Sequence, residues 1–147
     1  MKNKPLPFKF VDKDKPCYAP IRGTEKSAGL DLHAVENVIL QPKEIRPLST
    51  NIAIELSNGT EAQIRGRSGL AFNHNVFCIH LGTIDADYRG EIKLLLYNAS
   101  DKEFKINPGD RIAQLVVNQV EYVSPIEIQE LSDTERGEGG FGSTGYN

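Results

Sequence analysis

The chain has 147 residues, a mass of 16.3 kDa and a formal net charge of −3 at pH 7. That length is typical of one domain, and the acidic balance argues against stable binding to nucleic acid, which usually requires a basic surface. Two cysteines are too few for a disulfide framework, and no membrane span or secretory signal is visible. We therefore expect an intracellular protein without membrane contacts, in the cytoplasm or a host cell, or in the nucleus if the source is eukaryotic or viral.

Taken in chain order, the sequence begins with a basic segment and continues as short strands separated by turns. Residues 1–26 hold seven of the 17 Lys and Arg residues, which predicts a solvated segment. Ser68–Asn73 is the one stretch expected to form a helical turn. Short apolar or alternating runs predict strands at Val38–Leu40, Ile52–Leu56, around Ile64, Val76–Ile79, Ile92–Tyr97, Phe104–Ile106, Ile112–Val117 and Ile126–Ile128. This pattern indicates an all-β sandwich or barrel of the jelly-roll type.

Three features inside this pattern suit an anionic ligand, and each also has a purely structural interpretation. Arg67-Ser68-Gly69 opens the helical turn, where backbone N–H groups, a hydroxyl and a guanidinium can form an anion cradle. The segment Asp85–Gly90 places two carboxylates, an aromatic ring and a guanidinium in a predicted hairpin, which is either a charged turn or a site. Gln114 enters an apolar strand, so its amide either satisfies neighbouring backbone groups or binds a ligand.

The C-terminal stretch Arg136–Gly145 mixes glycines with an arginine, a phenylalanine and hydroxyl residues. Glycine amides can wrap an anion, Arg136 can pair with a phosphate, and Phe141 offers a flat face to a base. The stretch also matches G-x-G-x-x-G, but a dinucleotide site needs a strand before and a helix after, and only five residues remain. The alternative is a disordered glycine tail.

The histidines and cysteines do not form a recognisable catalytic or zinc-binding group. Cys78 and His80 lack a second ligand pair, and His33 and His74 have no evident nucleophile beside them in sequence. We therefore interpret the histidines as surface or packing residues.

Five segments carry a resemblance to a known family: Ala28–Leu32, Gly66–Ala71, Gly82–Glu91, Gly109–Leu115 and Arg136–Gly145. In this order they resemble the five motifs of the trimeric deoxyuridine triphosphatases (dUTPases). The resemblance implies a β jelly roll, or distorted β-barrel, formed by residues 1–135, and a flexible glycine-rich arm of residues 136–147. It also implies a homotrimer whose active sites lie between subunits, each closed by the arm of a neighbour.

The reaction that this resemblance implies is hydrolysis of dUTP to dUMP and pyrophosphate by attack of water on the α-phosphate, assisted by Mg²⁺. Such an activity keeps uracil out of DNA and supplies dUMP for dTMP synthesis. By resemblance, Asp85 is the general base, Tyr88 lies under the deoxyribose and excludes a 2′-hydroxyl, and Gly82 belongs to the uracil hairpin. Asp31 matches a carboxylate that reaches Mg²⁺ through water, while the triphosphate holds most of the metal. The other implied substrate-binding residues are Arg67, Ser68, Gly69, Gln114, Arg136, Phe141, Gly142, Ser143 and Thr144.

The sequence departs from the family pattern at two turns, and two alternatives to the enzyme remain. Gly66 stands where Pro is common, and residues 77–81 lack the Gly or Asn often found in the uracil hairpin. One alternative is a dCTP deaminase, possibly bifunctional in form, which shares the implied fold but would need a different C-terminal segment. The other is a non-catalytic trimer that binds dUTP in a regulatory role; the intact Asp85, Tyr88 and Arg136 favour an enzyme over it.

Overall fold

The computed structural model describes residues 4–79 and 82–140, and in this part of the chain it contains eleven strands and one helix. The strands are β1 (Phe8–Phe10), β2 (Ile21–Arg22), β3 (Leu30–His33), β4 (Val38–Leu40), β5 (Ile45–Ser49), β6 (Ile52–Ile54), β7 (Thr60–Arg65), β8 (Val76–Ile79), β9 (Lys93–Asn98), β10 (Phe104–Ile106) and β11 (Arg111–Gln119). The helix α1 spans Ser68–His74. The all-β class predicted from the sequence is confirmed.

The strands pair antiparallel in four hydrogen-bonded groups. Their orders are β2-β3-β11-β7, β5-β9-β8, β1-β6 and β10-β4. The one helix in the described ranges, α1, is not long and apolar enough to cross a membrane.

The core lies between these groups and is built from alternating side chains. In β9, Leu94, Leu96 and Asn98 are buried while Lys93 points outward. Asn98 is tolerated there because its amide nitrogen donates to the Leu40 carbonyl at 3.0 Å and to the Lys102 carbonyl at 2.7 Å. Other fully buried apolar side chains come from most of the remaining strands: Leu32, Leu40, Ile52, Val76, Ile106, Ile112 and Leu115.

The strand order β3-β11-β7 brings three sequence motifs side by side. Gln114 of β11 is the register partner of Asp31 on β3 and of Arg65 on β7. A register shift between Arg111 and Ala113 interrupts the β11–β3 ladder, and such a bulge re-aims the side chains beside it. Because β7 leads directly through residues 66–67 into α1, the start of the helix is held next to this sheet.

The basic N-terminal segment is largely solvated as predicted, since none of its described residues from 4 to 26 is buried, although β1 pairs with β6 and β2 pairs with β3. One predicted strand is wrong. The alternating residues Ile126 and Ile128 do not form a strand in the described structure; they lie in an irregular, exposed segment, with Ile126 81% exposed. These alternating apolar residues do not pair with a strand in the described part of the same chain.

Candidate functional site

A pocket of about 280 Å³ lies where β3, β11 and the start of α1 meet. It collects seven residues from three separate sequence motifs, and five of the seven were predicted to belong to a site. The lining residues are Gly23, Ser27, Gly29, Asp31, Arg67, Ser68, Gly69, Arg111 and Gln114, and we call this set the arginine pocket.

The arginine pocket is organised around the carboxylate of Asp31. One of its oxygens lies 3.3 Å from Arg67 Nε, and the other lies 3.2 Å from Arg111 Nη1. Arg67 Nη1 also donates to the carbonyl oxygen of Arg111 at 2.8 Å, which ties the two arginines together. Two guanidinium groups facing one carboxylate leave a net positive charge in the pocket, which suits a polyanion.

Gln114 is held in the same pocket by structural contacts. Its side-chain nitrogen donates to the Gly66 carbonyl at 2.9 Å, and its side-chain oxygen lies over Gly29, where any β-carbon would collide with it. The amide is thus fixed by its neighbours, as the structural interpretation predicts, and it also lines the pocket. Since proline also carries a backbone carbonyl oxygen, Gly66 in place of the common proline preserves this acceptor.

Ser68 and Gly69 form the first turn of α1, after Arg67 at the helix N-cap. No side chain caps this end of the helix, and the first backbone N–H groups of a helix have no partner within it. Leu70 N and Ala71 N both donate to the Arg67 carbonyl. The anion cradle predicted for this motif therefore has its donors beside the two guanidinium groups.

The described residues fit a metal carried by the substrate better than a resident metal. In residues 4–79 and 82–140, no three His, Cys, Asp or Glu side chains cluster closely enough to hold an ion. Both oxygens of Asp31 already face guanidinium groups, and its side chain is only 15% exposed. Mg²⁺ prefers to keep several waters and to take phosphate oxygens, so a triphosphate would supply most of its ligands.

A second pocket, of about 230 Å³, contains the predicted general base. It is lined by Ile64, Gly82, Thr83, Ile84, Asp85, Tyr88, Glu91, Ile92 and Lys93, and we call this set the Asp85 pocket. The arginine pocket and the Asp85 pocket share no lining residue.

The segment predicted as a hairpin is a tight turn attached to β7 by an isolated bridge. Ile84 and Ala62 exchange backbone hydrogen bonds of 2.9 and 3.0 Å, and Tyr88 N donates to the Asp85 carbonyl at 3.1 Å. Arg89 Nη1 folds back onto the carbonyl oxygens of Ala86 and Tyr88, at 2.7 and 3.0 Å. Arg89 is therefore used to close the turn, and the carboxylate of Asp85 is presented at the pocket.

Tyr88 lies across its own turn, with 46% of the residue exposed. Its hydroxyl donates to the Glu91 carbonyl at 3.0 Å, and its ring occupies the space that a side chain at Gly90 would take. Gly90 is thus required by the ring of Tyr88. Gly82 at the other end of the pocket has φ +110°, a conformation that favours glycine.

Burial shifts the pKa values of two titratable groups near the site. Burial lowers the pKa of His33, an effect that Asp31 opposes and that Arg111 and Arg67 reinforce. His33 Nδ1 is buried without a hydrogen-bond partner in the described ranges, and its ring lies 5.5 Å from that of Tyr18, which fits a neutral packing histidine. Burial also raises the pKa of the Cys78 thiol.

The beginning of the C-terminal arm is exposed and lies in neither pocket. Gly137 N donates to the Thr134 carbonyl at 3.1 Å, and Gly139 N donates to the Arg136 carbonyl at 3.0 Å, so the segment turns at this point. Arg136 lines neither the arginine pocket nor the Asp85 pocket of its own chain. The predicted residues Phe141, Gly142, Ser143 and Thr144 lie outside the described residues, as does His80.

Several residues that line the two pockets, Arg111 and Glu91 among them, were not assigned a role from the sequence. Both end or lie within quoted motifs, and a second arginine near Arg67 could have been noted as a phosphate partner. The contacts of Glu91 are with residues 49–51, which are distant in sequence, so no local pattern indicated them.

Comparison with known proteins is consistent along the whole chain. The family model described as dUTPase matches residues 15–145. A deoxyuridine 5′-triphosphate nucleotidohydrolase of Nautilia profundicola is 53% identical over 141 residues, which cover 95% of this chain and 99% of the relative. The enzyme of the same name from Helicobacter pylori strain J99 is 52% identical over 123 residues, covering 83% of this chain and 85% of the relative.

Solved structures resemble the fold over nearly the same extent. The dUTPase of Staphylococcus bacteriophage 80alpha with dUPNHPP superposes with a TM-score of 0.89 at 27% identity, covering 97% of this chain and 99% of that chain. A dUTPase variant from phage phi11 of S. aureus shares the fold with a TM-score of 0.81 at 21% identity, covering 88% of this chain and 100% of that one.

Proposed function

This chain belongs to the dUTPase family, and we propose that it hydrolyses dUTP to dUMP and pyrophosphate. The observation that supports this most directly is the arrangement of the family's motif residues. Asp31, Arg67 and Gln114 gather in a positively charged pocket, while Asp85 and Tyr88 gather in a second one. The triphosphate requires the positive charge of the arginine pocket. The nucleoside, and the water that attacks the α-phosphorus, require the Asp85 pocket.

The triphosphate binds in the arginine pocket. Arg67 and Arg111 pair with phosphate oxygens, and the first-turn amides of Ser68 and Gly69 donate to them. Gln114 contributes from a side chain that is already immobilised on Gly66, so little conformational entropy is lost on binding.

Asp85 acts as the general base on the water that attacks the α-phosphorus. The new bond forms between the water oxygen and the α-phosphorus, and the bond from that phosphorus to the bridging oxygen of the β-phosphate breaks. Asp85 takes a proton from the water, and pyrophosphate leaves. The turn closed by Arg89 holds the carboxylate at the pocket surface, as a general base requires.

The nucleoside lies against the Asp85 pocket. Tyr88 supports the deoxyribose and leaves no room for a 2′-hydroxyl, and the chain around Gly82 contacts uracil through its backbone. Ile64 and Ile92 give this pocket apolar surface, which suits the flat, weakly charged part of the substrate.

A complete site is assembled from more than one subunit of a homotrimer. The two pockets share no residue, and Arg136 reaches neither of them within its own chain. One subunit then supplies the arginine pocket, a second supplies the Asp85 pocket, and an arm of residues 136–147 closes the site. In that arm Arg136 pairs with the terminal phosphate, Phe141 stacks on uracil, and Gly142, Ser143 and Thr144 add phosphate donors.

Mg²⁺ belongs to this reaction as the counter-ion of the triphosphate. When bound, it offsets phosphate charge and helps to hold the triphosphate in one conformation. Asp31, whose direct partners are Arg67 and Arg111, would meet such an ion through its water shell.

The experiment that tests the function compares pyrophosphate release from dUTP, dTTP, UTP and dCTP with Mg²⁺. Release from dUTP alone is the expected result. Ammonia release from dCTP would indicate a deaminase. Tight binding of dUTP without any turnover would indicate a regulatory protein.

A further inference from the structure

The position of Tyr88 depends on the main chain at Glu91. The Tyr88 hydroxyl donates to the Glu91 carbonyl at 3.0 Å, and the ring occupies the space beside Gly90 that a β-carbon would take. The ring therefore stays where it is only while the chain at residue 91 stays in place.

The side chain of Glu91 adds a second anchor at this point, beside the Ile92 N–H of the same peptide unit, which donates to the Ile52 carbonyl. Its carboxylate oxygen Oε1 accepts the backbone N–H of Asn51 at 2.9 Å and the hydroxyl of Ser49. Hydrogen bonds to an ionised carboxylate are among the stronger ones in proteins. Asn51 adopts a left-handed backbone conformation at this corner, with φ 58°.

The corner at residues 49–52 that receives Glu91 is itself rigid. Ile92 N donates to the Ile52 carbonyl at 2.8 Å, and the buried Thr50 hydroxyl donates to the Ile92 carbonyl at 2.6 Å. Asn51 is 1% exposed, and its side chain donates to the Asp12 carbonyl at 2.8 Å and accepts from Asp12 N at 2.8 Å. The corner is thus held by a second strand and by the N-terminal segment.

We propose that Glu91 is a positioning residue for Tyr88, and that its carboxylate, through the corner at residues 49–52, sets how strictly the site rejects ribonucleotides. The inference rests on the proposed function, in which Tyr88 lies beneath the deoxyribose. Releasing the Glu91 carbonyl lets the ring move away from the sugar and makes room for a 2′-hydroxyl. Glu91 itself need not touch the nucleotide.

The test is the ratio of kcat/KM for dUTP to kcat/KM for UTP, because a loss of correctly folded protein lowers both values and leaves their ratio unchanged. We expect Glu91→Ala to lower the ratio by about tenfold, the scale of one charge-assisted hydrogen bond. Glu91→Gln keeps an acceptor oxygen for Asn51 and should retain most of the ratio. Glu103→Ala, at an exposed position away from both pockets, is the matched control.

A double-mutant cycle separates this role from a general loosening of the pocket. Tyr88→Phe removes the hydroxyl that reaches residue 91, so Tyr88→Phe and the double variant with Glu91→Ala should show nearly the same ratio. If Glu91→Ala does not fold, Ser49→Ala removes one donor to the same carboxylate and should move the ratio in the same direction.

The outcomes distinguish the inference from the function on which it rests. If Glu91→Ala leaves the dUTP/UTP ratio unchanged while Tyr88→Ala lowers it strongly, the role of Glu91 alone is overturned. An unchanged ratio in Tyr88→Ala overturns the placement of Tyr88 under the sugar and with it the proposed nucleotide orientation. Fully additive effects of Glu91→Ala and Tyr88→Phe would also reject the coupling.

Discussion

The side-chain oxygen of Gln114 lies against the α-carbon of Gly29, in the space that a β-carbon would occupy. The two residues belong to motifs more than eighty positions apart, and the β3–β11 pairing brings them together. Gly29 therefore determines where Gln114 can place its amide.

Gly29→Ala is expected to displace Gln114 and break its hydrogen bond to Gly66. Overpacking of this kind costs about 1–3 kcal/mol of unfolding free energy, and KM for dUTP should rise because the phosphate partner has moved. Denaturant unfolding and steady-state kinetics measure both effects. Gly23 lines the same pocket, but a β-carbon there would meet only Ser27 Oγ, at an ordinary contact distance of 3.6 Å. Gly23→Ala should therefore behave like the parent chain.

Asp31→Asn is expected to weaken nucleotide binding even without metal. The amide cannot hold two guanidinium groups as a carboxylate does, so Arg67 and Arg111 lose their common partner. Affinity for dUpNHpp in EDTA should fall by at least about tenfold. Asp101→Asn, which breaks only an exposed pair with Lys43, is the control. A defect that appears only with Mg²⁺ would instead assign Asp31 to the metal.

Asp85→Asn should abolish most turnover while leaving binding of dUpNHpp nearly unchanged. Loss of a general base typically lowers kcat by at least about 10²-fold. Asp87→Asn is a close comparison, because Asp87 lies in the same turn but does not line the pocket. Near-normal pyrophosphate release from Asp85→Asn would show that another group activates the water.

Removal of residues 136–147 should reduce dUTP hydrolysis strongly without changing the assembled mass. The described part of this arm contacts the fold only through local turns, so the core does not depend on it. Light scattering reports the mass and a pyrophosphate assay reports the activity. Phe141→Ala should weaken dUTP binding in the intact chain, and dissociation of the truncated protein to monomers would contradict this prediction.

Mixing two inactive variants tests whether a site is shared between subunits. Arg67→Ala damages the arginine pocket and Asp85→Asn damages the Asp85 pocket, which have no residue in common. Trimers refolded from an equal mixture should recover part of the activity, because some sites then combine two undamaged pockets. Activity no higher than the sum of the two separate samples would place each site within one chain.

The strands that the sequence predicted correctly contain buried apolar side chains in a clear run or alternation, whereas β3 and β5 were not predicted although Leu32 and Leu48 are buried. Leu94 and Leu96 of β9 are fully buried, and their pattern was readable. β2 was not predicted, because Ile21 and Arg22 are exposed and the strand exists only through pairing with β3. Ile126 and Ile128 were predicted to form a strand but did not. Their alternation indicates an apolar side that would be buried in a contact, but it does not identify the chain that makes the contact.

The candidate site divides in the same way. Arg67, Ser68 and Gly69 could be found because their chemistry is local to one short motif. Pairing of Arg111 with Asp31 and of Glu91 with the Asn51 N–H depends on strand register, which no single motif contains.

Every described residue from 121 to 140 is exposed and none belongs to a helix or strand, so this stretch offers a protease an extended, accessible chain. One cut between residues 121 and 135 would detach Arg136 and everything after it but leave the β-structure untouched. Circular dichroism and thermal melting would then report an intact fold in a protein that has lost the proposed arm. Preparations of this protein should therefore be judged by intact mass before their activities are compared.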